Sequence, residues 1–280
     1  MPYLDTGDGV RLYYEDFGAG PAVVFTGAGN LTHKMWEAQV AGIAGEFRTV
    51  TYDWRGTGAS DKPRGGYTGE AVAADLCALV ERLGIGPAVL VGHGIGSHVV
   101  MLAAAARPEL AKAMVLVSTA PWFTGERDGI VGGTSAAFMD FMFARSGPQD
   151  PRGVPYAEVL AEMGEQWLFH HPQSAAVQHS ILEQALTWPQ YVITAYAKSM
   201  REIDHRQRFA RFKCPCLIVQ GRHDRKQRYE GAAYMARRIK GARLMTLEDS
   251  AHMGQIEEIN HFNRVLLDFL REVEAMRRAA

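Results

Sequence analysis

The segment VLVGHGIGSHVV, residues 89–100, decides how this chain folds. Its apolar opening, with Ala88 before it, reads as a strand buried on both faces. Glycines at 92, 94 and 96 then allow a tight turn. From Ile95 to about Ala106 the chain continues as an apolar helix. A strand, a sharp turn and a helix with the spacing G-x-S-x-G would raise a nucleophilic serine at the end of a sheet. Here the five residues are Gly92-His93-Gly94-Ile95-Gly96, and glycine stands at the serine position.

Working outward, strands and helices alternate. PAVVFT (21–26), FRTVTYD (47–53), PAVLVG (87–92) and AMVLVS (113–118) are short β-branched apolar runs of the kind buried in parallel sheets. Helical spacing lies between them, with Gly or Pro at the ends. PCLIVQG (215–221) and ARLMTLED (242–249) resume the strands, and a long amphipathic helix closes the chain. VRLYYEDFG near the start alternates like an antiparallel edge hairpin. The fold class is therefore α/β, with a mostly parallel, doubly wound sheet.

The alternation stops between about 121 and 209. That stretch is helical in texture and rich in large apolar groups, among them Trp122, Phe123, Phe138, Phe141, Trp167, Trp188, Tyr191 and Tyr196. A helical insert between two strands needs a seat, and the carboxyl edge of the sheet, where ligands bind in open α/β folds, is the natural one. We expect a core of residues 1–120 and 210–280, and a helical cap over 121–209 that closes an apolar pocket.

Composition narrows the functions. A net charge of −1 provides no broad basic field for nucleic acid. Three cysteines, Cys77, Cys214 and Cys216, do not form a disulfide framework and suit a reducing, cytoplasmic setting. No apolar run approaches the roughly 18–20 residues of a membrane span, and the charged N-terminus does not read as a signal peptide. No metal or organic cofactor is expected, and a monomer or homodimer is. The basic run Arg222–Arg228 reads as a solvated loop and helix start.

Four motifs in order resemble the α/β-hydrolase superfamily over nearly the whole chain, most closely its capped esterases, enol-lactonases and haloperoxidase-like members. VVFTGAGNLTHKMW resembles the strand and oxyanion loop, with Thr26-Gly27 in place of the usual His-Gly. YDWRGTGASDKP resembles the family's YDxRGxGxSxxP, and VGHGIGS its nucleophile elbow. IVQGRHD and EDSAHMGQIEEINHFN resemble the acid turn and the histidine loop, with Ile259 where a proline is usual.

The resemblance implies roles. His252 would be the general base, oriented by Asp224, and the backbone N–H groups of Ala28 and Ile95 would form the oxyanion hole. Gly94 would occupy the nucleophile position without an attacking atom. His93 would be structural and Ser97 packed against the sheet. His33, His98, Trp122, Phe123, Phe141 and Trp188 are candidates to contact substrate.

Three functions remain open. The chain would be a carboxylic ester or lactone hydrolase for a mainly apolar small molecule, in a form whose nucleophilic serine is replaced by glycine and which is inactive as a serine enzyme. Alternatively it would be a natural non-serine member using His252 and Asp224 for acid–base chemistry, as a lyase or cofactor-independent oxygenase. The third is a small-ligand-binding protein on the same fold.

Overall fold

The computed structural model describes residues 2–145 and 155–279. An eight-stranded sheet runs through the centre in the order β1-β2-β4-β3-β5-β6-β9-β10. The first two strands, β1 (Tyr3–Asp5) and β2 (Arg11–Phe17), are the antiparallel edge pair expected from their alternation. β2 joins β4 (Arg48–Tyr52) antiparallel. From there β3 (Ala22–Thr26), β5 (Ala88–His93), β6 (Ala111–Val117), β9 (Cys216–Gly221) and β10 (Ala242–Leu247) are parallel. A two-residue ribbon, β7 (Glu126–Arg127) with β8 (Ile130–Val131), lies apart.

Successive residues of the central strands feed opposite faces. Val23, Phe25, Val89, Val91, Val115 and Val219 pack into one core. Val24, Leu90, Met114, Leu116 and Ile218 pack into the other. Helices cover both. α1 (Glu37–Ile43) and the terminal α10 (Ile259–Ala279) lie over the first core, and α10 buries Phe262, Leu266, Phe269, Leu270 and Val273 at helical spacing. α2 (Gly69–Arg82), capped by the Thr68 hydroxyl on the Ala71 N–H, and α3 (Ile95–Ala106) lie over the second. α8 (Tyr229–Arg238) crosses from β9 to β10, and the short α9 (Gly254–Glu257) follows the last strand. β10 is only half-buried because it is a sheet edge.

Between β6 and β9 come α4 (Ala136–Arg145), α5 (Tyr156–Met163), a π-helical turn over Gly164–Leu168, α6 (Ala175–Leu186) and α7 (Gln190–Met200). The corner from α6 to α7 is tied to the loop after β3. Gln184 Oε1 accepts from the Thr32 N–H and hydroxyl at 3.2 and 3.1 Å, and the Trp188 indole donates to the Leu31 carbonyl at 3.0 Å. Glu257 ties the insert to the loop after β10. One oxygen accepts the N–H groups of His170 and His171, and the other accepts that of Ala251.

Candidate active site

Gly94 links β5 to α3 with φ +54° and ψ −118°, a conformation that side chains disfavour and glycine tolerates. Its N–H is held by the Val117 carbonyl at 2.8 Å. Gly96 permits the close approach of α3 to the neighbouring loop, since a Cβ there would run into the Gly27 carbonyl. Ile95 heads α3, and first-turn N–H groups have no partner within a helix, so this end offers a donor and positive potential.

His252 lies in the loop after β10, fully buried. Its Nδ1 donates to Asp224 Oδ2 at 2.9 Å. Nε2 has no hydrogen-bond partner among the described residues. A Cβ placed on Gly94 would stand 3.4 Å from that Nε2, an ordinary contact. The unshared imidazole nitrogen therefore faces the elbow with no side chain between. The His252 carbonyl is pinned by His93 Nε2 and Ser118 Oγ, each donating at 2.8 Å. Burial lowers the pKa of His252; Lys226 adds to this and Asp224 opposes it. The ring is neutral at pH 7, the form that accepts a proton.

Asp224 sits in the turn after β9. Oδ1 accepts the N–H groups of Lys226 and Gln227 at 2.9 and 2.8 Å, and Oδ2 accepts from Gln220 Nε2 at 3.0 Å as well as from His252. Four donors fix this carboxylate where it can orient the imidazole and stabilise imidazolium.

Ala28 differs from expectation in one respect. Its N–H points to the Met35 thioether at 3.1 Å, so an oxyanion would have to displace a weak sulfur acceptor there. Ser97 is bound into the sheet: its hydroxyl donates to the Gly92 carbonyl at 2.7 Å and accepts from the Val117 N–H at 3.2 Å.

Gly94, Ile95, Ala28 and His252 line one cavity of about 730 Å³. The insert supplies Phe123, Phe138, Met139, Met163, Trp188, Tyr191 and Tyr196 to its walls, so two of the expected contacts, Phe123 and Trp188, face it. The other four lie outside its lining. His33 is held by Asp53, its Nδ1 2.8 Å from Oδ1; burial disfavours its charge, and Asp53 and Glu15 outweigh this and raise its pKa. His98 lies behind Phe123, bonds His205 at 3.0 Å and is brought down to a pKa of about 3 by burial. Trp122 is wholly buried, its indole spent on the Gly125 carbonyl. Phe141 packs behind Phe138 against Trp167.

One lining residue was concealed in the basic run read as solvated. Arg222, Arg225 and Arg228 are exposed, but Lys226 lines the cavity, its ammonium 4.7 Å from the Phe138 ring centre. The signal for it was positional: it follows the acid by two residues, in a turn wrapped around the carboxylate. Among the described residues, one group could gather metal-ligand atoms, His170, His171 and Asp249; all three are exposed and none lines the cavity.

The α/β-hydrolase-fold family model matches residues 21–259, and the chain belongs to that family. It is 29% identical over 270 residues to AB hydrolase superfamily protein YisY of Bacillus subtilis, covering 95% of this chain and 98% of that one. It is 28% identical to the bifunctional esterase/perhydrolase DCH of Acinetobacter calcoaceticus over 97% of this chain and all of that one. An esterase from Exiguobacterium antarcticum superposes with a TM-score of 0.87 at 24% identity, over 96% of this chain and 98% of that one, which speaks to the fold. No helix among the described residues is long and apolar enough to cross a membrane.

Proposed function

We propose that this chain hydrolyses a carboxylic ester or lactone with a mainly apolar body, by direct attack of water and without an acyl-enzyme. The observation that carries this reading is the unpartnered Nε2 of His252, oriented by Asp224 and facing a residue with no side chain. The space a serine hydroxyl would fill is open to water. Nε2 takes a proton from that water as its oxygen bonds to the carbonyl carbon. The resulting oxyanion is held at the Ile95 N–H and the α3 N-terminus. Collapse breaks the bond to the leaving oxygen, which receives the proton from imidazolium, releasing acid and alcohol or the opened hydroxy acid. The helices of 121–209 act as the cap that excludes bulk water from this step. A relative named as a bifunctional esterase/perhydrolase supports the reaction class.

The same base facing the cavity directly would also serve proton abstraction next to a carbonyl, the second reading. Turnover of a panel of aryl esters and lactones separates the two. Hydrolysis is expected, and His252→Ala should lower kcat/KM by roughly 10²–10⁴, the usual range for a general base. Hydrolysis that survives this substitution would remove the proposal.

A further inference from the structure

Among the described residues, no carboxylate is ion-paired with the ammonium of Lys226. Its nearest carboxylate by sequence, Asp224, already accepts four hydrogen bonds from other groups. Among the described residues no carbonyl accepts from the Lys226 ammonium either. It lies over the face of Phe138. Among the described residues, the lining of the cavity it enters has no Asp or Glu. Lys226 and His252 also share a narrower recess with Ala28 and Met253, so the two residues lie at the same end of the cavity. The backbone on either side is fixed: the Lys226 N–H is bound by Asp224 and its carbonyl accepts the Ser135 N–H at 2.9 Å.

We propose that Lys226 is the anion-recognition residue of this cavity, and that the substrate is an apolar molecule bearing a carboxylate next to the bond His252 acts on. An ammonium among apolar walls is poorly solvated, and an entering carboxylate restores its partner. Burial pushes its pKa down to about 8, with Asp224 opposing, so it is still charged at pH 7. The Lys226 ammonium is a point charge that a single carboxylate can match, and no arginine is among the described residues of the lining, though Lys198 also lines the cavity. The aromatic walls contributed by the insert would hold the apolar body.

This inference rests on the cavity being the substrate site, and its test reads binding so that it stands apart from hydrolysis. Titration calorimetry at pH 7 compares 4-phenylbutyrate with its neutral amide on the whole protein. The unsubstituted chain should bind the carboxylate about tenfold or more tightly than the amide, equivalent to about 1.4 kcal/mol. Lys226→Met should erase that preference while leaving amide affinity within about twofold, which also shows that the variant is folded. His252→Ala should keep the preference, whatever it does to turnover. Equal affinity for both compounds, including no detectable binding of either, would overturn the proposal. So would a preference that survives Lys226→Met or disappears with His252→Ala.

Discussion

Gly94 and His252 form a pair in which one residue makes room and the other, in the proposed reaction, supplies the base. A side chain in the same backbone would place its Cβ 3.4 Å from Nε2; glycine leaves that nitrogen open to whatever enters. Asp224 holds the Nδ1 proton, so the open nitrogen carries the lone pair. The protonation state of His252 is then the switch. Burial moves its pKa below the ordinary 6.5, with Lys226 assisting and Asp224 opposing. Protonation removes the base, so kcat/KM should fall at acid pH with its midpoint below 6.5. A pH–rate profile with its acid midpoint at or above 6.5 would show that another group, or a differently placed His252, controls the reaction.

The elements that build the site come from distant parts of the chain, and this decides what could be read in advance. The glycine-spaced elbow, the acid turn after β9 and the histidine loop after β10 were legible, because each is a short motif at the end of a strand. His33 and His98 looked equally placed by spacing, yet partners brought by tertiary packing, Asp53 and His205, turn them from the cavity. Lys226 was masked by its charged neighbours, since composition cannot distinguish an inward lysine from a solvated one. The aromatics of the insert sort into wall and interior only once their helices are placed: Phe138 lines the cavity and Phe141 lies behind it. The α6–α7 corner also braces the loop that carries Ala28. Trp188→Phe keeps an apolar wall but leaves the buried Leu31 carbonyl without its donor. It should lower unfolding free energy by about 1–3 kcal/mol in urea titrations. An unchanged midpoint would mean that the bond does not brace the loop.

The molecule as a whole is a rigid sheet with cores on both faces, and helices between β6 and β9 that supply most of the apolar cavity wall. The sheet sets the positions of His252, Asp224 and the Ile95 N–H, each in a loop or helix that follows a strand. The insert sets the shape and hydrophobicity of what can reach them. Glu257, Gln184 and Trp188 join the two parts around the reacting groups. That division explains why the reaction class can be argued from the core while the substrate must be argued from the cavity, and why Lys226, a core residue facing the insert, bears on both. The central claim is catalysis by His252 on water with no covalent intermediate. The most direct test is rapid-mixing turnover of an aryl ester, with intact-mass analysis of the quenched protein, on the chain as it stands and on Gly94→Ser. The unsubstituted chain should release product linearly from the first turnover and show no added mass. Gly94→Ser should show a burst of about one product per protein and an acyl adduct, the sign of covalent catalysis. A burst or an adduct in the unsubstituted chain would contradict the account.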